Sequence, residues 1–349
     1  MKTDSQKWAS LFRVAIVGAT TLKGKELKQV LDERNFPAMD IKLLDDDESL
    51  GQLDQVQDEV AFIQPVTAAQ LERMDFTFFA SNEKFTRKNW KLARNAGSAI
   101  VDLSYALESE IDAPVRAPWI DRELGRHAPL DLESTVIEVA HPAAIALALL
   151  LLRALKAAPI RSVVATLLEP VTESGKQGMD ELHEQTINLL SFQPMPTRVF
   201  GSQIAFNVID RFGEGSAGAL ESIQHRIAAH LARLLEGRVP VPSLMLLQAP
   251  VFHAHTFSIY LEFEKSVALG DFTQALAGEH VEIARSAEDS PSNVNVAGKD
   301  EVLVSVRRDA ARENGFWLWA AVDNLRLVAA TAVECATALA AVRPHGKVQ

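Results

Sequence analysis

The sequence has one cysteine and no apolar run long enough to cross a bilayer. With Cys335 alone no intramolecular disulfide can form, and nothing indicates an oxidising compartment. The longest apolar run, 143–152, is about half of the ~20 residues that a membrane-spanning helix needs, so it favours a buried helix. The opening segment, 1–13, contains no apolar stretch of signal-peptide length. These absences predict a cytoplasmic protein with no membrane segment.

Positive charge is also scarce. The 35 Lys and Arg residues stand against 46 Asp and Glu residues, which gives a net charge of -11. Such a surface repels phosphate backbones and anionic headgroups, so we expect no nucleic-acid partner. The 349 residues, 48% of them hydrophobic, are enough for two cores, and two domains are predicted.

The first part of the chain alternates predicted strands with helical stretches. The apolar run 14–17 ends in Gly18 and is followed by a helical pattern, which indicates a buried strand that enters a helix through a tight turn. Further strands are predicted at 41–44, 76–80 and 99–103. This alternation is typical of an α/β fold with a Rossmann-like parallel sheet of the dinucleotide-binding type.

After Pro142 the pattern changes to long helices interleaved with alternating strands. Helices are predicted at 143–157 and 216–236, and strands at 255–263, 302–306 and 317–322. A period of two means one buried face, as in an antiparallel sheet covered by helices, so this part is an α+β domain. The Ala-rich stretch 324–342 is predicted to form a helix that packs back on the first domain. The predicted domains are therefore 1–141 with 324–349, and 142–323.

Five segments carry a resemblance to a known family. They are VAIVGATTLKG at 14–24, GSQIAFNVID at 201–210, APVFHAH at 249–255, NVAGKDEVLV at 295–304 and VDNLR at 322–326. In order and approximate spacing they resemble the aspartate-semialdehyde dehydrogenases of amino-acid biosynthesis, and QAPVFHAH is most similar to the Usg-type homologues of that family, which lack the catalytic cysteine. The resemblance implies an NADP-binding domain followed by a domain that carries the catalytic residues and forms a homodimer. A mixed oligomer with an active paralogue is equally compatible with the sequence.

The resemblance also assigns the catalytic nucleophile. The family has Asn-Pro-Asn-Cys at a helix N-terminus, where the helix dipole favours the thiolate. This sequence has a different tetrapeptide there, His141-Pro142-Ala143-Ala144. Ala144 stands at the nucleophile position, and a methyl group cannot attack a carbonyl. Losing such a nucleophile can lower a rate by a factor on the order of 10⁶.

Four more positions match the family's catalytic and substrate-binding residues. His255 matches the general base, a role that suits the pKa of histidine. Glu169 stands at the position of the orienting glutamine, Gln248 at that of the substrate-binding arginine, and Leu107 at that of a phosphate-binding arginine. Two lost charge-assisted hydrogen bonds would remove about 3–6 kcal/mol of binding. We therefore do not expect the family's substrate to bind.

The glycine-rich turn of the first domain differs from the family's Gly-x-x-Gly-x-x-Gly. Gly18 and Gly24 keep the outer glycines, with Thr20 between them, while Thr21 replaces the middle glycine that lets backbone amides approach a pyrophosphate. The resemblance also implies paired glycines where this sequence has Asn82 and Glu83, and Lys-Gly where it has Leu327 and Val328, so side chains would intrude where the nicotinamide half lies. Gly18, Thr20, Thr21 and Gly24 are thus the candidate cofactor contacts in a weakened site.

An acidic run, 45–48, follows the second predicted strand. It would repel the 2′-phosphate of NADP, whereas Asp45 or Asp46 could accept hydrogen bonds from the ribose of NAD. A solvated acidic loop is the commoner meaning of such a run. We expect no bound cofactor, with NAD as the alternative and NADP disfavoured.

His253 and His255, with His141 as a third ligand, form the one zinc site that the sequence suggests. No Cys, Asp or Glu accompanies them at ligand spacing, so no metal is predicted. The leading hypothesis is a catalytically inactive homologue that acts as a dimeric scaffold or regulatory protein. The alternative is an NAD(P)-dependent oxidoreductase acting on an aldehyde or oxo group, with His255 and Glu169 as acid and base.

Overall fold

The computed structural model describes residues 11–56, 59–126 and 136–342. Described residues up to Ala140 and from Val328 onward form a first compact unit, and His141–Leu327 form a second. Residues 1–10 of the opening segment, on which the signal-peptide prediction rests, and the terminal residues 343–349 lie outside the described residues.

The first unit contains a seven-stranded sheet in which every pairing is parallel. Its strand order is β5-β2-β1-β6-β7-β9-β8, and β3 and β4 form a separate antiparallel pair. The strands are β1 (Phe12–Val17), β2 (Ala38–Asp45), β3 (Leu53–Val56), β4 (Glu59–Phe62), β5 (Gln64–Pro65), β6 (Phe76–Phe79), β7 (Ala99–Asp102), β8 (Val115–Arg116) and β9 (Val136–Val139). The helices are α1 (Leu22–Glu33), α2 (Ala68–Leu71), α3 (Glu83–Asn95) and α4 (Pro118–Glu123). The predicted parallel sheet is confirmed.

The second unit contains a six-stranded sheet of order β11-β10-β12-β15-β14-β13. Its helices are α5 (Pro142–Ala157), α6 (Gly175–Leu190), α7 (Leu220–Leu235) and α8 (Leu269–Leu276). Its strands are β10 (Ile160–Glu169), β11 (Ser243–Gln248), β12 (His255–Phe263), β13 (Val281–Ile283), β14 (Val302–Arg308) and β15 (Gly315–Val322). The sheet is mixed rather than antiparallel throughout, because β10 pairs with β11 and β13 with β14 in parallel. The long connection through α6 and α7 supplies the crossover that the parallel β10–β11 pair requires.

Alternation and apolar content explain how this unit is packed. On β12 the side chains of His255, Phe257, Ile259, Leu261 and Phe263 all face the buried side, as a period of two requires. Helix α5 is apolar on every side from Pro142 to Leu152 and is buried from Pro142 to Ala154, so it lies in the interior of the unit rather than on its surface. The predicted buried helix at 143–152 is confirmed.

The last helix, α9 (Asn324–Val342), returns to the first unit. From Val328 to Leu339 its apolar residues join the core beneath the parallel sheet. Its segment 324–341 is long and apolar enough to cross a bilayer, but 72% of that segment is buried inside the protein, as a core helix would be. Cys335 lies in this core, where burial raises the pKa of its thiol and disfavours the reactive thiolate.

Candidate functional site

Helix α5 starts at a histidine cap. His141 precedes Pro142, which fits the first helical position because its missing N–H would have no partner there. The Ala143 amide donates to Nδ1 of His141 at 3.2 Å, and the His141 amide donates to Nδ1 of His230 at 3.0 Å. Ala144 follows in the same first turn and is fully buried. The position that the resemblance assigns to the nucleophile is therefore an enclosed methyl group at a helix N-terminus.

Glu169 and His255 form a buried pair. Glu169 ends β10 and His255 begins β12, and the antiparallel register Leu168–Thr256 brings the two side chains together. Oε2 of Glu169 lies 2.8 Å from Nε2 of His255, and both side chains are essentially inaccessible to solvent. Because the carboxylate can only accept, Nε2 carries a proton and donates it. Nδ1 of His255 is buried and has no hydrogen-bond partner among the described residues.

Two opposing effects act on His255. Burial disfavours the charged ring, but the charge of Glu169 and the hydrogen bond to it outweigh burial, so the pKa of His255 is raised. The more distant carboxylates of Glu173 and Asp323 act in the same direction. The structure therefore favours an imidazolium–carboxylate pair over a neutral base.

His141 completes a group of three, which we call the His–Glu–His cluster: His141, Glu169 and His255. The two imidazole centroids are 5.5 Å apart, and one ligand atom from each of the three residues lies within 4.8 Å of the others. All three side chains are buried. Glu169 is not at ligand spacing from either histidine along the chain, and it joins them only because the end of β10 lies beside the start of β12.

His253 is not part of this cluster. The group of potential ligands found among the described residues does not include it, and its side chain is only half-buried. Ala254 adopts a left-handed φ of 71°, so the alternation of β12 does not extend back to His253. His253, which the sequence suggested as a zinc ligand together with His255 and His141, therefore lies outside the cluster.

Two residues that the sequence reasoning did not select support the cluster. Asn324, in the VDNLR segment, accepts from the Ala254 amide at 3.0 Å and donates to Oε1 of Glu173 at 2.7 Å. Oε2 of Glu173 lies 3.9 Å from Nε2 of His141. The one signal for Glu173 in the sequence is its position four residues after Glu169. Asn324 thus connects the start of β12 to a second carboxylate near His141.

Gln248 is held by main-chain groups. It ends β11 directly beside Glu169, and its Nε2 donates to the carbonyls of Glu169 at 2.8 Å and Ala249 at 3.1 Å. Its Oε1 is buried without a hydrogen-bond partner among the described residues. The position that the resemblance assigns to the substrate arginine therefore carries no charge.

The outer glycines of the turn in the first unit are required by the backbone itself. A Cβ on Gly18, whose φ is 84°, would lie 2.4 Å from the Ser81 nitrogen, and one on Gly24 would lie 2.1 Å from the Gly18 carbonyl oxygen. Their retention therefore follows from strand–helix packing and does not by itself indicate a nucleotide.

Thr21 fills the middle of that turn. Its hydroxyl oxygen accepts from the Gly24 amide at 3.0 Å, which makes it the N-cap of α1, and it lies 2.8 Å and 2.9 Å from the carbonyl oxygens of Gly18 and Ala80. The Thr21 hydroxyl thus takes the hydrogen bond of the Gly24 amide. With glycine in the middle of the turn, that amide could donate to a phosphate instead.

Asp45 is also engaged internally. Its Oδ2 accepts from the amide and the hydroxyl of Thr20 at 2.8 and 2.7 Å, and its Oδ1 accepts from the Asp46 amide at 2.9 Å. The carboxylate is buried. The two candidate cofactor residues Thr20 and Asp45 are therefore bonded to each other.

The remaining positions from the resemblance also have structural partners. Leu107 is buried, and its amide lies 3.1 Å from carboxylate oxygens of both Asp102 and Glu138. Asn82 caps α3 by accepting from the Phe85 amide at 2.9 Å. Leu327 and Val328 are fully buried.

Comparison with known proteins identifies the family. Residues 13–127 match the semialdehyde dehydrogenase NAD binding domain, and residues 151–327 match the semialdehyde dehydrogenase dimerisation domain. A USG-1 protein homolog of Pseudomonas aeruginosa is 33% identical over 91% of this chain and 94% of its own length. Aspartate-semialdehyde dehydrogenase 2 of Vibrio cholerae is 29% identical over 92% and 95%.

Solved structures agree with this assignment. A probable aspartate-semialdehyde dehydrogenase from Pseudomonas aeruginosa superimposes with a TM-score of 0.84 at 31% identity, covering 95% of this chain and 98% of that one. Aspartate semialdehyde dehydrogenase II from Vibrio cholerae, complexed with ASA, superimposes with a TM-score of 0.83 at 26% identity, covering 96% and 99%. With both of its domains matched and its fold shared over nearly its whole length, the chain belongs to the semialdehyde dehydrogenase family.

Proposed function

We propose that this member of the family does not oxidise aspartate semialdehyde and serves as a dimeric scaffold or regulatory protein in the cytoplasm. The observation that carries the proposal is Ala144 in the first turn of α5. The chemistry requires a thiolate that attacks the aldehyde, and a helix N-terminus is where a thiolate is stabilised. The methyl group of Ala144 provides no nucleophile in that place.

The surroundings of this position also argue against the family's substrate. Glu169 adds a buried carboxylate, and Gln248 provides only a neutral amide that is already bonded to main-chain carbonyls. A substrate carboxylate would find no bidentate cation there, because Gln248 is neutral and His255 is already paired with Glu169. Binding of the substrate therefore fails as well as its chemistry.

The cofactor turn supports the same conclusion. Thr21 uses the Gly24 amide, and Asp45 spends both of its carboxylate oxygens on backbone and hydroxyl donors. A dinucleotide would have to displace the Thr21 hydroxyl from the Gly24 amide, and three of the roughly four acceptor sites of the Asp45 carboxylate are already filled. We infer that the protein binds no cofactor. If it does bind a dinucleotide, we expect NAD rather than NADP.

The segments of the second unit that resemble the family support its packing rather than catalysis. In the GSQIAFNVID segment, the amides of Ile204 and Ala205 donate to Oε1 of Gln185 at 2.8 and 3.1 Å. Gly201 packs so closely on Gly213 that a Cβ on Gly201 would lie 2.4 Å from the Gly213 carbonyl oxygen. A scaffold would preserve such packing after its chemistry is lost.

The outward face of the six-stranded sheet supports a homodimer. Register places Met245, Thr166, Ser258 and Trp319 in one row, and Val164 lies in the next row. Val164, Met245 and Trp319 are exposed by 48%, 51% and 37%. Apolar side chains exposed together on one sheet indicate a covered interface, and the matched dimerisation domain supplies a second copy as the partner.

Light scattering tests the dimer directly. The wild type is expected at twice the chain mass, and Met245→Glu is expected to shift it toward the monomer because a charge would be buried in the interface. Val294→Glu, at an exposed apolar residue of the same unit, is the matched control and should remain dimeric. A monomeric wild type at micromolar concentration would remove the basis for a homodimeric scaffold. Mixing with an active paralogue would then decide whether the regulatory partner is a different chain.

Activity is tested with NADP, phosphate and aspartate semialdehyde, using an active relative as the positive control. No NADPH formation above background is expected. The hydrogen-bonded pair of Glu169 and His255 favours a second candidate, an oxidoreductase with altered chemistry. Calorimetry separates the two functions: NAD binding tighter than about 100 μM, against a millimolar or weaker affinity for NADP, would favour the oxidoreductase.

A further inference from the structure

We propose that the His–Glu–His cluster is a zinc site. Two imidazoles and one carboxylate are a donor set that zinc uses where it keeps an open coordination position. The cluster brings these three groups together from three elements, the start of α5, the end of β10 and the start of β12. This inference is independent of whether the protein turns over a substrate.

The distances suit a metal ion after a small adjustment. Ligand atoms bound to tetrahedral zinc at 2.0–2.2 Å lie about 3.4 Å from one another. In the cluster the three ligand atoms lie within 4.8 Å, and the closest measured pair, Nε2 of His255 and Oε2 of Glu169, is 2.8 Å apart. Inserting zinc would separate that pair by roughly 0.6 Å and draw His141 inward. Neither change requires a strand to move out of register.

The charge balance favours a divalent cation. Glu169 is fully buried, the side chain of Glu173 is almost so, and Asp323 lies close enough to influence His255. Buried carboxylates are costly unless they are paired or coordinate a metal. A zinc ion between Glu169 and the two imidazoles would place positive charge beside these buried carboxylates.

Hydrogen bonds hold the backbone on either side of two of the proposed ligands. The His141 amide is anchored on Nδ1 of His230, and Asn324 holds both the Ala254 amide next to His255 and the nearby Glu173. These bonds position the main chain from which His141 and His255 project, whereas Nδ1 of His255 has no hydrogen-bond partner among the described residues and stays available for a water in an outer shell. Coordination through Nε2 of His141 moves its ring proton to Nδ1, so we expect the 3.2 Å bond from the Ala143 amide to break when zinc binds.

Ala144 makes the site compatible with an open position. Unlike the cysteine that the resemblance assigns to this position, alanine offers no metal ligand in the first turn of α5. Three protein ligands and one water or small ligand would then complete a tetrahedron. Iron(II) also uses two histidines and a carboxylate, so it is a competitor to be tested rather than the metal we assign.

The test uses the full-length chain, stripped with a chelator and titrated with Zn²⁺ or, under reducing conditions, with Fe²⁺. Three variants each remove one donor: His141→Asn, Glu169→Gln and His255→Asn. The first two introduce the residue types that the family resemblance assigns to those positions, so they are expected to fold, and circular dichroism checks this. His253→Asn is the matched control, because His253 is two residues from His255 and outside the cluster.

We expect one zinc per wild-type chain with a Kd below about 1 μM, a loss of affinity of at least about tenfold in each donor variant, and no change in the control. Cobalt(II) should give absorption bands of a low-coordinate site in the wild type that disappear in folded Glu169→Gln. The proposal fails if the wild type holds no stoichiometric zinc, if the folded donor variants bind zinc as well as the wild type, or if His253→Asn weakens binding equally. Preferential binding of Fe²⁺ at the same three residues would overturn the assignment of zinc. Because every readout is metal binding, a negative result leaves the proposal of lost dehydrogenase activity standing.

Discussion

Replacing Glu138 by glutamine should stabilise the first unit at neutral and alkaline pH. Glu138 on β9 and Asp102 at the end of β7 are both fully buried, and they share the Leu107 amide. Burial raises the pKa of Glu138 well above its usual range, and the neighbouring Asp102 carboxylate raises it further. Burial also raises the pKa of Asp102, although hydrogen bonds from Ser104 partly counter it.

The direction of the pH effect follows from these shifts. A carboxyl group whose pKa is higher in the folded than in the unfolded state favours folding while it is protonated. That contribution is complete below the unfolded pKa of about 4.5 and is lost as the pH rises through the folded pKa. Glutamine resembles the protonated acid at every pH, so Glu138→Gln should remove this loss.

The magnitude follows from the charge on a poorly hydrogen-bonded buried carboxylate, because glutamine keeps a polar atom in that place but carries no charge. Oε1 of Glu138 is buried without a hydrogen-bond partner among the described residues. Leaving a buried polar group unsatisfied costs about 1–3 kcal/mol, and more when the group is charged. We therefore expect Glu138→Gln to raise the free energy of unfolding by about 1–3 kcal/mol at pH 8 and by little at pH 5.

Urea unfolding followed by circular dichroism at both pH values measures this difference. Glu72→Gln, at an exposed carboxylate of the same unit, is the control and should leave stability unchanged at both. The reasoning would be refuted if Glu138→Gln were less stable than the wild type at pH 8. It would also be refuted if the substitution changed the free energy of unfolding by the same amount at pH 5 and pH 8.

Three further outcomes are expected. NADP should bind no more tightly than about 1 mM in calorimetry, because the Thr21 hydroxyl occupies the turn, and a micromolar Kd would contradict this. Gly201→Ala should lower the unfolding midpoint, since at a φ of 65° its Cβ would lie 2.4 Å from a backbone oxygen. Gly237 has a similar φ of 72°, but a Cβ there meets no atom within 4 Å, so Gly237→Ala should lower the midpoint less. Cys335 should react with a thiol reagent only after unfolding, because it is fully buried and its thiol pKa is raised; rapid labelling of the native protein would show that α9 opens.

The elements of the fold could be predicted from the sequence where burial follows a simple period. The apolar run at 14–17 lies in β1 and the alternation at 255–263 forms β12, because the spacing of apolar residues is enough to indicate a buried strand. The mixed character of the second sheet could not be predicted in the same way. Parallel pairing of β10 with β11 depends on how a connection of more than 70 residues, containing α6 and α7, returns the chain, and no local pattern records that path.

The candidate site shows the same limit. Single positions such as Ala144 and His255 could be selected through the resemblance, but the contact between Glu169 and His255 joins residues 86 apart and depends on strand register. Thr21 could be identified as a departure from the glycine pattern, whereas its bonds to the Gly18 and Ala80 carbonyls required the structure. Asn324 was visible as part of a motif, but its contacts with Ala254 and Glu173 were not.

The central claim is that the dehydrogenase site is dismantled rather than one substitution from function. The measurement is the rate of NADPH formation from aspartate semialdehyde and phosphate by the wild type, by Ala144→Cys, and by Ala144→Cys combined with Leu107→Arg, Glu169→Gln and Gln248→Arg. A thiol at 144 would stand at the N-terminus of α5, but substrate and cofactor would still be poorly held, so encounter and orientation should remain limiting. We predict no turnover by the wild type and, for Ala144→Cys alone, a rate more than about a hundredfold below a typical kcat of ~10 s⁻¹. Turnover by the wild type, or a rate within that hundredfold for the single variant, would contradict the account.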